Sequence, residues 1–439
     1  MKAYCKIILF TLACTPPTHA DIVTDWNDAA LNAIRATGTP PPKASRALAM
    51  AHLAVYDAVN SISINHEAYL GYQPLSGPTS MQAAAAQAAH DVLASLFTAP
   101  SQTAAFDTLL NTHLSGVADP VQKANGVTLG ANAANAMLSS RVADHSNDIV
   151  NYVNPLPGTI GVWTPTPAGF ANYLLPQWKD VTPFAMTSGS QFQPPGPPAI
   201  NSSQYTASYN EVKSLGSKTG STRTADQTDV AYFWADGAGT ATPPGHWNLI
   251  TQQIASIQGL TLEQNSRLFA LLNMATADAA IAAWDAKFDA ALWRPVTAIR
   301  LDDGNPSTLA DPTWTSLLST PPFPAYTSGH STFSAAAGGV LSDYFDTDSL
   351  NFSVVTEDTL NLAPGYTRNF TSISDAVDEA GMSRIYGGIH FQFDNEDGKI
   401  AGAQIGDYVT ANYLRAVPEP GTAMLAFFSG SLLLVRRRR

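Results

Sequence analysis

The chain has 439 residues, 45% hydrophobic and 13% charged, with a formal net charge of −12. So acidic a surface excludes nucleic acid as a natural partner, while the length suffices for a large core built as two packed units. Both cysteines, Cys5 and Cys14, fall in the N-terminal leader, so a product starting at Asp21 has no disulfide, thiolate metal site or cysteine nucleophile.

Residues 1–20 read as a secretory signal peptide: Lys2 and Lys6, an apolar stretch over 7–13, then Thr-His-Ala before Asp21. Alanine is abundant and apolar residues recur at helical spacing, so the rest of the chain is expected to be mainly α. A helix is predicted over 43–59, started by the prolines at 40–42, with Leu48, Ala51, Val55 and Val59 as its apolar stripe. His52 borders the stripe and reads as a packed histidine. Further helices over 80–97, 101–114 and 121–142 complete an N-terminal bundle, residues 21–150.

Residues 151–202 change texture, with ten prolines between 151 and 200 and the aromatics Trp163, Phe170, Tyr173, Trp178 and Phe184. They read as a packed, irregular strap. Helical signals resume over 205–215, 228–234, 246–257, 261–293, 331–345, 372–386 and 391–413, giving a second unit from 203 to 416. The end, 417–439, runs Val-Pro-Glu-Pro-Gly, an apolar stretch over 422–435, and four arginines. Fourteen apolar residues make only about 21 Å of helix, short for a stable membrane span. Loss of the leader and of everything after Pro420 removes Lys2, Lys6 and four arginines but no acid, moving the charge from −12 to −18.

Three segments of the second unit carry chemistry. The first runs from Trp284 through Lys287 to Arg294-Pro295; seven residues apart, the two cations share one face of a continuous helix, about 10 Å apart. The second is Phe323-Pro-Ala-Tyr-Thr-Ser328-Gly329-His330, a loop entering an alanine-rich helix. Amides at a helix start attract an anion, Gly329 permits close approach, Ser328 adds a hydroxyl and His330 can transfer a proton. In the third, Arg384, Gly387-Gly388, His390 and Asp394, Arg384 and His390 are about 240° apart on a helix and meet only if the glycines break it. Asp394 is placed to orient His390.

The order Lys-x6-Arg-Pro, Ser-Gly-His, Ser-Arg-x5-His resembles the three motifs of the superfamily that unites vanadium haloperoxidases with type 2 phosphatidic acid phosphatases, over roughly residues 222–415. The resemblance implies an all-α fold of two packed four-helix-type bundles, with the active site in the C-terminal bundle. It implies vanadate as cofactor, with Lys287, Arg294, Ser328, Gly329 and Arg384 binding its oxygens. His390 would be the metal ligand or phosphoryl acceptor, and His330 the acid–base residue. Trp284 and Phe323 match aromatics that line the halide pocket of the chloroperoxidase-like branch. Phe233-Trp-Ala-Asp236-Gly also resembles that branch and implies a pair between Asp236 and Arg384. Thr327 departs from the pattern, standing where a proline normally precedes the serine.

The tail resembles the PEP-CTERM sorting tag of Gram-negative bacteria, which implies processing by an exosortase, transient membrane association and a product outside the cell or on its outer surface. The expected activity is peroxide-dependent halide oxidation. The alternatives are an acid phosphatase acting on phosphoesters through a phosphohistidine, and a non-catalytic surface or matrix protein with a degenerate pocket. A serine hydrolase lacks its Gly-x-Ser-x-Gly elbow, and Asp394 to Gly398 has neither the acid spacing nor the final glutamate of a calcium loop.

Overall fold

The computed structural model describes residues 21–418 except 155 and 157, so the leader, both cysteines and the tail from 419 onward lie outside the described residues. These residues form thirteen α-helices, a 3-10 turn at Pro176–Asp180 and one two-stranded hairpin.

The centre of the molecule is α9 (Leu262–Ala290), whose residues from Leu268 to Trp284 are buried on every side. A helix apolar all round requires neighbours all round. In the N-terminal half these are led by α2 (Pro41–Ser63), which packs in turn on α3 (Met81–Leu96) and α5 (Pro120–Ser140). In the C-terminal half they are α11 (Gly329–Phe345) and α13 (Gln392–Asn412), with α12 (Ile373–Tyr386) behind. The larger apolar cluster draws on residues from Ile22 to Leu414, and a second gathers Tyr205, Trp293, Tyr326 and Phe391.

Local signals set many of the boundaries. Pro41 occupies the first position of α2, where its missing N–H costs nothing, and Ser80 caps α3 by accepting from the Ala83 amide. Leu48, Ala51, Val55 and Val59 are buried as the stripe predicts. His52 is a packed histidine, 3.2 Å from Asn27 Oδ1 and stacked on Phe269.

Three features depart from the expected elements. Helix α1 (Ile22–Thr37) precedes the first expected helix, capped by Asp21 and closed by Gly38 in the left-handed region. Between α11 and α12 lies the hairpin β1 (Phe352–Val355) and β2 (Thr367–Phe370), too short to show an alternation of its own. The helix expected over 261–293 stops at Ala290, where Ala291 turns left-handed (φ 46°), and a short α10 (Pro295–Arg300) follows. Lys287 and Arg294 are therefore brought together by a turn and not by a shared helix face.

The strap clamps the far end of α9. Trp163 and Trp178 are buried, the Trp163 amide donates to the Ala291 carbonyl (2.7 Å) and the Leu174 amide to the Pro322 carbonyl (3.0 Å). Asp278, fully buried on α9, accepts from the amides of Phe184 (2.6 Å), Ala185 (2.8 Å) and Met186 (2.7 Å). Asp278→Ala leaves three buried N–H groups without a partner, so a loss of about 3 kcal/mol or more is expected in urea unfolding. A loss under about 1 kcal/mol would mean that the strap is not held this way.

Candidate active site

Close helix packing brings the site's segments together. Gly402 on α13 lies so near α11 that an added Cβ would stand 2.3 Å from the Thr332 carbonyl oxygen. This contact sets the start of α11, with Ser328, Gly329 and His330, beside the start of α13. Ser328 caps α11, its Oγ accepting from the Ser331 amide (3.3 Å), while its own amide donates to the Asp394 carbonyl (2.9 Å).

The break foreseen at Gly387-Gly388 is present. Helix α12 ends at Tyr386, Gly388 turns to φ +75°, and α13 starts at Gln392. His390 stands in the gap, 3% exposed, and Arg384 ends the helix before it. Asp394, in the first turn of α13, has one oxygen 3.0 Å from His390 Nδ1 and 3.0 Å from the Phe391 amide nitrogen. Burial raises Asp394 to about 7; in its ionised form the carboxylate only accepts, so Nδ1 then carries the proton and Nε2 the lone pair. Arg294 Nη1 donates to that Nε2 (3.0 Å) and to the Ile389 carbonyl (2.7 Å), and its Nε donates to the Phe323 carbonyl (2.8 Å).

A cavity of about 40 Å³ is lined by Trp284, Phe323, Gly329, His330, Arg384 and His390. A larger one of about 390 Å³ shares Phe323, His330 and Arg384 with it. Trp284 and Phe323 form one aromatic wall, ring centroids 4.9 Å apart, and the Trp284 indole donates to the Leu174 carbonyl (3.2 Å). Lys287 sits behind that wall, fully buried. It donates to the carbonyls of Pro324 (3.2 Å), Ala325 (3.0 Å) and Thr327. An ammonium has three N–H bonds, so direct contact with a ligand requires Lys287 to give up one of these.

The expected pair between Asp236 and Arg384 is not formed. Arg384 Nη1 donates instead to the Trp234 carbonyl (2.6 Å). Asp236 lies 3.0 Å from His246 Nδ1 on α8 (Thr242–Gln258), and 4.0 Å from His330 Nε2. Sequence reasoning misses His246; its only local signal is a histidine inside an apolar helix start.

The electrostatics are those of a buried cationic site. Burial pushes Arg294 down to about 9, with Arg384 adding to the effect and Asp394 opposing it; Arg384 falls to about 10, again through burial. Burial and then Arg294 hold Lys287 well below its usual range. His390 lies well below the ordinary imidazole range through burial and then Arg294, and His330 through burial and then Arg384. Arg294 Nη2, Arg384 Nε and His330 Nε2 are buried without hydrogen-bond partners. Buried charges and orphaned donors of this kind are satisfied by an anion with several oxygens.

Residues 267–418 match the family model described as the VCPO second helical-bundle domain. The vanadium chloroperoxidase of Curvularia inaequalis is 26% identical, over 86% of this chain and 79% of its own length. Among solved structures, a bacterial vanadium-dependent iodoperoxidase superimposes with a TM-score of 0.79 at 26% identity, over 91% of this chain and 97% of its own. The chain has the vanadium haloperoxidase-like helical fold and resembles that family in sequence. An apo-type bacterial vanadium-dependent chloroperoxidase shares the fold at a TM-score of 0.68 and 18% identity, over 84% of this chain and 92% of its own. The relatives are enzymes, and the vanadium haloperoxidase-like fold places the Ser328 to His330 and Arg384 to His390 segments of this chain side by side.

Proposed function

We propose that the chain is an exported vanadium-dependent haloperoxidase that oxidises halide with hydrogen peroxide. The observation carrying this reading is the pair of buried guanidinium N–H groups without partners, Arg294 Nη2 and Arg384 Nε, beside His390, whose ring is oriented by Asp394 and whose Nε2 would exchange Arg294 Nη1 for a metal. Those two donors would suit the oxygens of an oxyanion whose metal His390 would hold. Vanadate, when bound there, supplies a Lewis-acid centre that activates peroxide toward halide.

His390 provides the metal-ligating nitrogen. Arg294 and Arg384 neutralise the anion's oxygens, with the Ser328 hydroxyl and the Gly329 amide at the α11 N-terminus completing the cradle. Lys287 adds its charge and grips the 324–327 loop that presents Ser328. His330 accepts and returns a proton, and the Trp284 and Phe323 wall offers halide a poorly hydrated face. The test is to purify the protein without metal, add vanadate, and assay peroxide-dependent halogenation beside phosphoester hydrolysis. Halogenation that requires vanadate supports the reading. Hydrolysis without halogenation makes the chain a phosphatase acting through phosphorylated His390, and neither activity leaves a non-catalytic surface protein.

Export rests on the leader and the tail. No described helix is long and apolar enough to cross a membrane. Val417 donates its amide to the Asn65 carbonyl (3.0 Å) and Glu67 its amide to the Arg415 carbonyl (2.8 Å), so cleavage near Pro420 leaves the last tie to the fold intact. Intact-mass measurement on protein from its native host is expected to show a chain ending near Pro420. A mature chain still ending at Arg439 refutes processing by an exosortase.

A further inference from the structure

His246, in the second turn of α8, is 2% exposed, and its ring stacks on Trp234 with centroids 4.5 Å apart and planes at 24°. Phe233 packs on another side, 5.4 Å away. The ring is thus held in one orientation, and its Nδ1 meets both oxygens of Asp236, at 3.0 and 3.2 Å. Asp236 follows α7 (Ala225–Phe233) in the left-handed region, φ 45°, and is itself 9% exposed. Its second oxygen lies 4.0 Å from His330 Nε2, beyond a hydrogen bond.

One carboxylate therefore lies between two histidines and is bonded to only one. We propose that His246 is a positioning residue: by holding Asp236 on its own Nδ1–H, it stops the carboxylate from closing onto His330 and leaves His330 Nε2 free for the cavity. This rests on the reading of His330 as the proton-transfer residue. Burial opposes a charge on His246, but Asp236 outweighs it and holds the ring above the ordinary imidazole range. The charge of Asp236 is thereby spent on His246.

The other charges facing the pair do not do this work. Arg384, Lys287 and His390 face His330 and disfavour a second positive charge there, and the charge of His246 adds directly to that effect besides holding Asp236. Glu357 and Arg35 face His246 but are bonded to one another (2.8 Å), with Glu357 also accepting from the Ala241 amide (2.5 Å). Without His246, Asp236 would be a buried anion whose nearest unpaired donors are His330 and Arg384, and both would draw it in.

The experiment is a titration of the His330 ring by NMR in the vanadate-free full protein, for wild type, His246→Phe and His246→Gln. Phenylalanine keeps the stack on Trp234 but removes the donor, and the His330 midpoint is expected to rise by about one pH unit, a tenfold change in its protonation equilibrium. Glutamine keeps a donor without the charge, so its shift is expected to be smaller and in the same direction. Adding Asp236→Asn to wild type and to His246→Phe is expected to erase the difference between the two backgrounds. In the vanadate-loaded enzyme the acid limb of the pH–rate profile moves upward by the same amount. An unchanged or lowered His330 midpoint in a folded variant overturns the proposal, and if His246→Phe does not fold, the glutamine variant decides on the same criterion. Because the titration needs no turnover, a protein without halogenating activity still decides the role of His246 separately from the functional reading.

Discussion

His390→Ala is expected to abolish tight vanadate binding and to reduce peroxide-dependent halide oxidation to background. Among the site's groups the imidazole is the one placed to bond the metal itself; the arginines, serine and amide address oxygens. The Asp394 carboxylate on Nδ1 orients the ring, and Nε2 accepts from Arg294 Nη1, both at 3.0 Å, so a metal would take the place of that N–H. Removing the ring also takes one acceptor from Arg294 Nη1, which keeps its bond to the Ile389 carbonyl (2.7 Å). His330→Ala is expected to differ, because it removes a proton carrier and no bond to the cofactor. Binding survives while turnover falls by about 10²- to 10⁴-fold. Vanadate titration followed by ⁵¹V NMR separates the two. Thermal denaturation gives a second readout, since ligand at 100 times its Kd stabilises the folded state by about 2.7 kcal/mol. Equal vanadate affinity in wild type and His390→Ala would remove His390 from the metal.

Much of this site was legible in the sequence because its chemistry is local. Ser328-Gly329-His330 announces a helix start with amides free for an anion, and Gly387-Gly388 announces the break that brings Arg384 and His390 to one place. The helix starts at 80 and 261 were legible as boundaries, and the structure shows Ser80 and Thr261 capping them, each bonding an amide three residues away. What was not legible depends on partners distant in the chain. The ending of α9 at Ala290 is fixed where the strap's Trp163 amide takes the Ala291 carbonyl, more than a hundred residues away, and no periodicity within 261–293 reveals it. The grip of Lys287 on the 324–327 loop likewise depends on carbonyls 37 to 40 residues away. Asp236 has two cationic neighbours in the fold, and only three-dimensional packing shows that α8 brings His246 to it before Arg384 arrives. The hairpin at 352–370 is stabilised by burial of Phe352 against Phe370, a contact made across the turn.

Gly388→Ala is expected to be the most damaging single-methyl change in the chain. The position has φ +75°, where any side chain is strained, but the larger effect is steric: the added Cβ would stand 2.3 Å from the Gly216 carbonyl oxygen and about 3 Å from two further backbone atoms of that residue. Neither side can yield easily. The Gly216 carbonyl accepts from the Leu317 amide (3.0 Å), and the Leu318 amide donates to the Gly387 carbonyl (2.9 Å), so three chain segments are tied at this point. Relief requires the 387–390 segment to swing outward, and His390 moves with it away from Arg294. We therefore expect a stability loss of about 3 kcal/mol or more, together with at least a tenfold loss of vanadate affinity in whatever fraction remains folded. Gly220→Ala separates the two causes, because Gly220 has a similar φ of +67° with no atom within 4 Å of its Cβ position. Strain alone there is expected to cost about 1 kcal/mol and leave vanadate affinity unchanged. The comparison is made by urea unfolding and vanadate titration on both variants, and equal losses in the two would show that backbone conformation, not the contact with Gly216, is what Gly388 provides.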